Sequence, residues 1–352
     1  MTDDSRTEQL LAALRAVAEP SRLRLLFIIS HGEFNVTELT QIIGQSQPRV
    51  SRHLKLLVDA RLIERHREGS WVLFRMAERE GPDREMGGAL ARMIADLLPA
   101  DDPMLARDLA RLETIRAERA AAAAAYFRAN AGEWDRIRSL HVSEHRVEDE
   151  MRRVLGSAPI DSLLDVGTGT GRILELFGPQ IRQGIGIDMS REMLAVARAR
   201  LDAAGLKHCQ IRQGDIYHLP YASGSMDVVT IHQVLHFLDE PERALEEAVR
   251  VLKPDGRLLV VDFAPHELEF LRETQAHRRL GISAQQFATW CHHLGFDQIE
   301  TRVLPPPDDI DQGLTVSIWL ARSSAAVSET APANMDRRSA QNGTAPKVLG
   351  VD

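Results

Sequence analysis

The stretch that most constrains this chain is Ser162–Phe177, SLLDVGTGTGRILELF. Leu163, Leu164 and Val166 make an apolar run of buried-strand type, and Ile173, Leu174 and Phe177 recur at helical spacing. Between the two, Gly167, Gly169 and Gly171 allow a tight turn and let a ligand approach the backbone without meeting a Cβ. The helix that follows offers free N–H groups and the positive end of its dipole. Dinucleotide and nucleoside binders share such a loop, but two details narrow the choice. The spacing is G-x-G-x-G, with Arg172 where a dinucleotide fingerprint has its third glycine. Asp165 also closes the strand, where a carboxylate can hold a cationic amine rather than a phosphate.

A second apolar run, Gly184-Ile-Gly-Ile-Asp188, ends in an acid suited to a ribose diol in a doubly wound sheet. A third strand ends at Gln213-Gly-Asp215-Ile216. On these residues the segment from Asp161 to Arg322 resembles the class I S-adenosylmethionine-dependent methyltransferases, closest to the group of the ubiquinone and menaquinone biosynthesis enzymes. The resemblance implies S-adenosyl-L-methionine as cofactor. It places Asp165, Gly167, Thr168, Gly169 and Gly171 around the methionine moiety, Asp188 on the ribose hydroxyls and Met189 against adenine. Asp215 and Ile216 fall at the adenine edge. His232, just after the strand Asp227–Ile231, joins the cofactor set, though a histidine satisfied inside the sheet edge fits as well.

The length of 352 residues suffices for two domains with separate cores, and the net charge of -8 confines any nucleic-acid surface to a local patch. Cys209 and Cys291 lie far apart without metal-type spacing, which suits a reduced, cytoplasmic protein. The start is acidic, and no uninterrupted apolar run reaches roughly 18 residues, so no membrane partner is expected. The pairs His141/His145 and His232/His236, each four apart and expected on helices, lack an evident third ligand, so no metal is expected.

From the N-terminus, apolar spacing predicts helices over Glu8–Val17, Arg22–Ser30 (capped by Ser21), Val36–Ile43 and Gln47–Ala60. In the fourth, Val50, Leu54 and Leu57 point inward, so Gln47, Arg49, Ser51, Arg52, His53 and Lys55 form the opposite face. Leu62–Arg67 and Trp71–Met76 read as a hairpin, adding Arg65 and Arg67. Between Gly44 and Met76 seven bases face three acids, a local net of +4 in an acidic protein. Helix, turn, helix and hairpin in that order make a winged helix-turn-helix suited to a DNA groove.

This region, Leu10 to Met76, resembles the ArsR/SmtB family of bacterial repressors. The residues that carry the likeness are Glu19-Pro-Ser-Arg-Leu-Arg-Leu-Leu26, Val36-Thr-Glu-Leu39 and Ser46–Leu57. The resemblance implies a homodimer on double-stranded operator DNA, with the recognition helix in the major groove and the wing over the backbone. Many members hold a metal through cysteines in the third helix; Asn35-Val-Thr-Glu38 has no thiol, so soft-metal sensing is not expected. A helix after Gly81, with Leu90, Met93, Ile94 and Leu97, is read as part of the dimer contact.

Pro103 to Asn130 lacks an internal breaker and is rich in Ala, Arg, Glu and Leu, predicting one long helix. The resemblance to the methyltransferases, in which a helical segment before the first strand closes over the cofactor, makes Tyr126 a candidate lid residue. The alternative is that Tyr126, Phe127 and Trp134 only pack the connector on the second domain. Ser323–Asp352, rich in Ala, Ser, Thr, Asn and Pro, is expected to be disordered. The expected architecture is α/β, a winged helix-turn-helix domain (1–100) joined by a helical connector (101–158) to a Rossmann-like doubly wound methyltransferase domain (159–322) and a tail (323–352). The function expected is a DNA-binding regulator that methylates a small-molecule acceptor. A domain that only senses S-adenosylmethionine or S-adenosylhomocysteine is the alternative, and a winged domain serving dimerisation alone is a third. No side chain is named as catalytic base, because the sulfonium donor is already activated and alignment does most of the work.

Overall fold

A computed structural model of the protein describes residues 3–68, 70–77, 85–99, 101–139, 143–306 and 313–322. His141 and the predicted tail beyond 322 lie outside the described residues. The N-terminal half begins with α1 (Asp3–Val17), α2 (Pro20–Ile29), β1 (Phe34–Asn35), α3 (Val36–Ile43) and α4 (Gln47–Asp59). The wing strands β2 (Ile63–Glu68) and β3 (Trp71–Met76) follow, then α5 (Glu85–Leu97) and α6 (Pro103–Asn130). The sheet order is β1-β3-β2, all antiparallel. Ser21 does not cap α2. Pro20 already has helical φ at the first position, so the cap moves back to Glu19, whose carboxylate accepts from Arg22 N at 3.0 Å. In α3, Asn35 and Glu38 form a reciprocal capping box, and Gly44 closes the helix at φ 69°.

The cap of α6 is Asp102, which accepts from Met104 N at 2.8 Å and Leu105 N at 3.1 Å, with Pro103 at the first turn. Its 28 residues span roughly 42 Å as one rod. The first half belongs to the core of the N-terminal half: Leu105 and Leu112 are buried with Leu25, Leu39, Leu54 and Leu57. Asp108 is fully buried and pairs with Arg24 at 2.6 Å, fixing α6 to α2.

The second half of the chain adds α7 (Trp134–Arg138), α8 (Glu144–Leu155), β4 (Ile160–Val166), α9 (Arg172–Phe177), β5 (Ile181–Asp188), α10 (Arg191–Ala203), β6 (Cys209–Gln213) and β7 (Met226–His232). It ends with α11 (Pro241–Val251), β8 (Leu252–Phe263), α12 (Phe270–Thr274), α13 (Ala284–His293), β9 (Gln298–Leu304) and β10 (Val316–Arg322). The sheet order is β6-β5-β4-β7-β8-β10-β9, with the first five strands parallel and β10 antiparallel to both neighbours. Side chains alternate across it. Leu164, Val166, Val229 and Ile231 enter the core on one face, and Leu163, Val228, Leu259 and Val261 that on the other. Both faces are covered by helices, so β4 ends rigidly at Asp165 and Val166. Replacing Leu164 by Ala would cost about 2–5 kcal/mol and loosen that anchor.

His232 and His236 do not share a helix: His232 ends β7, and His236 sits in a 3-10 turn over Leu235–Phe237.

Candidate functional site

The carboxyl ends of β4, β5, β6 and β7 open onto one cavity of 640 Å³, within the roughly 300–1,000 Å³ usual for small-molecule sites. The glycine loop forms its floor. Gly167, Gly169 and Gly171 have φ of 73°, 52° and 79°, a region that L side chains avoid. At Gly167 a Cβ would also stand 2.4 Å from Val234 Cγ2. Gly167 N and Thr168 N both donate to Ile187 O at 2.8 Å, which draws the loop onto the end of β5. Asp188 follows, and its carboxylate accepts from Gly169 N at 2.9 Å and Ser190 N at 2.8 Å. Burial pushes this carboxyl up, against the pull of those N–H groups.

Asp165 is 1% exposed, and its Oδ1 accepts from Thr230 Oγ1 at 2.7 Å. Its Oδ2 is buried with no partner at hydrogen-bond distance, and burial pushes the carboxyl up to about 6, against the pull of the Thr168 and Thr230 hydroxyls. Thr168 Oγ1, His232 Nε2 and Gln233 Nε2, all buried on the same cavity wall, also lack a partner. Four orphaned polar groups facing one cavity are costly unless a polar ligand meets them. Gln233 holds φ 54°, a conformation uncommon for a side-chain-bearing residue. Burial, then the nearby Arg138 and His236, hold His232 well below the ordinary histidine range, so its ring is neutral.

Of the residues singled out for the cofactor, the cavity wall contains Asp165, Gly167, Thr168, Gly169, Asp188, Met189, Asp215, Ile216 and His232. Met189 is 65% exposed and Asp215 accepts from Tyr217 N at 2.9 Å. Gly171 stands behind the wall at the start of α9, where an added Cβ would touch Ala197. Tyr126 is off the wall too. One residue is a 100° turn of helix, so it is Phe127, with Ala120, Ala123 and Ala124, that faces the cavity. Phe127 packs against Trp134 and Phe237 at ring separations of 5.3 and 4.8 Å. Asp135 on α7 accepts from Thr170 Oγ1 at 2.8 Å and is gripped by Arg200, which latches this aromatic cover to the glycine loop.

Sequence reasoning had no means to find the pair behind the wall, which joins the 3-10 turn after β7 to β8. His236 Nδ1 lies 2.7 Å from Asp262 Oδ1, both buried, with the His236 ring against Phe237 and His277. Arg138 and Trp71 on the wall were equally invisible, whereas Arg272, His277 and Arg278 lie in the stretch His266–Arg279, where the sequence after the last parallel strand leaves room for an acceptor pocket. Among the described residues no group of three or more metal-ligating side chains occurs, and no helix is long and apolar enough to cross a membrane.

The second surface is the outer face of α4. Gln47, Arg49, Ser51, Arg52 and Lys55 are exposed, while Val50, Leu54 and Leu57 are buried. His53 differs: it turns toward α2, 3.7 Å from Glu19, and burial holds it below the ordinary histidine range. On β2, strand alternation exposes Arg65 and Arg67 on one face. The other face carries His66 and Glu68, which, with Trp71, turn toward the methyltransferase-like half. Glu68 pairs with Arg272 at 2.6 Å, and His66 lies 3.7 Å from Glu33.

Comparison with known proteins agrees with both halves. Residues 19–65 match the bacterial regulatory protein arsR family, and residues 164–260 match the methyltransferase domain family. The chain is 31% identical over 153 residues to the uncharacterized methyltransferase YcgJ of Bacillus subtilis, covering 41% of this chain and 60% of that protein. It is 36% identical over 129 residues to the ubiquinone/menaquinone biosynthesis C-methyltransferase UbiE of a Ruegeria species, covering 36% of this chain and 52% of that one. The chain thus spans little more than half the length of these curated relatives. The crystal structure of YcgJ aligns with a TM-score of 0.42 at 21% identity, over 51% of this chain and 98% of its own.

Proposed function

Because the chain joins an arsR-family helix-turn-helix domain to a methyltransferase domain, we propose that it is a DNA-binding transcriptional regulator that binds S-adenosyl-L-methionine and methylates a small-molecule acceptor. The observation that carries this reading is the orphaned Oδ2 of Asp165 above the glycine loop. A buried carboxylate without a donor calls for a cation, and the cofactor's ammonium supplies one. The Arg138 guanidinium on the wall, shared with Glu144 at 3.2 Å, suits its carboxylate, the N–H groups of Gly167, Thr168 and Gly169 being already given to Ile187 O and Asp188. Asp188, each oxygen already holding one N–H, has lone pairs left for the ribose hydroxyls. Met189 and Ile216 flank the space for adenine, with Asp215 at its edge.

When bound, the cofactor supplies an activated methyl group on a sulfonium. The chain's own task is to align the acceptor with that methyl and to keep water out, which Phe127, Trp134 and Phe237 do. His232 Nε2, neutral and unpartnered, is an atom on the wall able to take a hydrogen bond or a proton from an acceptor hydroxyl, amine or thiol.

The DNA-reading surface is Gln47, Arg49, Ser51, Arg52 and Lys55 with Arg65 and Arg67 on the wing. A homodimer would present two such faces to a palindromic operator. Leu10, Leu11 and Leu14 on α1 and Met93 and Leu97 on α5 are exposed, up to 76% at Leu97, and supply an apolar surface for the second copy. Sedimentation should give a dimer, and Leu14→Glu with Leu97→Glu a monomer.

The test of the cofactor site is calorimetric titration of the full chain with S-adenosylmethionine and S-adenosylhomocysteine. Each hydrogen bond to a charged acceptor is worth roughly 1.5–3 kcal/mol, so Asp188→Ala should weaken binding by about tenfold or more. Unchanged affinity in a folded Asp188→Ala protein would remove the ribose assignment. A protein that binds both forms yet never converts one to the other with any acceptor would be a sensor.

A further inference from the structure

The acceptor side of the cavity is built partly by the DNA-binding half. We propose, resting on the methyltransferase reading above, that Trp71 of the wing is a specificity-determining wall of the acceptor subsite and that this subsite takes a neutral, ring-bearing apolar molecule.

Trp71 lines the same cavity as Asp165 and the glycine loop, although more than ninety positions of chain lie between them. Its place is fixed from two sides. Within the wing it is the direct cross-strand partner of Glu68. From the other half, Arg272 holds both: Nη2 donates to Glu68 Oε1 at 2.6 Å, and the guanidinium carbon lies 4.1 Å from the centre of the Trp71 ring. Arg278 adds a second guanidinium at 5.8 Å. Ser70 N donates to Glu269, and Glu68 also accepts from Leu280 N. The hairpin tip is thus seated on residues 268–280, and its indole is a preorganised surface.

The chemistry of the remaining wall selects the ligand class. Arg119 is paired with Glu38 and Asp239, Arg278 with Asp239 at 2.8 Å, and Arg272 with Glu68. With their charges already met, these arginines do not call for an anionic acceptor. Beside these pairs the wall carries the apolar Ala120, Ala123, Phe127, Phe237 and Trp71, with His232 as an unpartnered neutral polar group. Small alanines beside aromatic faces leave a slot that suits a flat ring, with offset or edge-on stacking against the indole.

The probe is 2-naphthol, titrated into the full chain saturated with S-adenosylhomocysteine, with naphthalene-2-sulfonate as an anionic counterpart. Wild type should bind 2-naphthol more tightly than the sulfonate. Trp71→Ala should weaken 2-naphthol by about tenfold, the loss of one aromatic wall. Trp71→Phe should keep most of the affinity, and Val72→Ala, on the outward face beside it, all of it. Affinity for S-adenosylhomocysteine should be the same in all four proteins. Equal binding of 2-naphthol by wild type, Trp71→Ala and Trp71→Phe would overturn the role of Trp71. No binding to wild type, or preference for the sulfonate, would overturn the ligand class. If Trp71→Ala does not fold, Trp71→Leu, which keeps bulk and removes the ring, takes its place with the same expected loss. Failure of wild type to bind S-adenosylhomocysteine would instead strike the underlying reading.

Discussion

Arg279 Nη1 donates to Glu33 Oε2 at 2.8 Å, closing 246 positions of sequence between the methyltransferase half and the turn before α3. Glu33 is the meeting point of two guanidiniums and an imidazole, since Arg75 and His66 of the wing each lie 3.7 Å from it, with burial holding His66 below the ordinary histidine range. Burial would raise its carboxyl, but Arg279, His66 and Arg75 outweigh burial and hold it below the usual carboxylate range. With Glu38–Arg119, Asp239–Arg119 and Glu240–Arg116 it makes a charged seam where α6 passes from one half to the other. The two halves therefore meet as packed surfaces, and the wing and α6 touch both.

Removing Glu33 leaves Arg279 buried without its partner. Breaking a pair of this kind from one side costs about 3–5 kcal/mol. Glu33→Ala should lower the melting temperature and, by small-angle scattering, broaden the spread of the two halves. Glu33's depressed pKa adds a direction: its contribution is present above the ordinary carboxylate value and fades as pH falls through the lower, folded value. A melting temperature equal to wild type would show that the seam does not hold the halves together.

Cofactor affinity should depend on pH through Asp165. Its folded carboxyl titrates near 6, above the ordinary value, so in the empty protein it is protonated below that point. A cationic ligand binds the ionised form and releases the proton, so affinity should rise with pH up to about 6 and then level off. If only the ionised form binds, affinity near pH 5 should be about tenfold below the plateau. Asp165→Asn should lower the plateau and flatten most of this dependence. A flat profile in wild type would mean that Asp165 does not face the ammonium.

Arg52 is exposed on α4 among Arg49, Ser51 and Lys55. Where it meets a phosphate, Arg52→Ala should weaken binding across sequences and reduce the salt slope by about 1. Where it meets a guanine edge, the loss concentrates on the operator, at about 1–3 kcal/mol. Equal binding by mutant and wild type at every salt concentration would move the reading surface elsewhere.

Much of this architecture was legible in the chain because local chemistry and tertiary packing agree. Asp102, Pro103 and an unbroken Ala-rich run write α6 from Pro103 to Asn130, and the glycine loop and its flanking apolar runs write β4 and α9. The two-residue strand β1 carries no period to read. Ser21 looked like a cap until Pro20 supplied the first helical φ. Phe127 and Tyr126 differ by one step of rotation, which composition cannot resolve. The contacts that join the halves, Glu33–Arg279 and Glu68–Arg272, pair residues about two hundred or more positions apart with no local pattern. The same holds for Trp71: as a wing residue it reads as hairpin aromatic, and only the docked wing puts it beside a cofactor cavity.

The claim that the two halves act as one is tested most directly by DNA affinity at three ligand states. A duplex selected from a random pool would be titrated with the full chain alone, with S-adenosylmethionine and with S-adenosylhomocysteine. Because α6 and the wing touch both halves, occupancy of the cavity should change DNA affinity. Linkage demands that the same duplex change cofactor affinity by the same factor, typically about 5–150-fold. A shift of that size, reciprocal in both titrations, is the predicted result. Three identical affinities would contradict it and leave two independent modules on one chain.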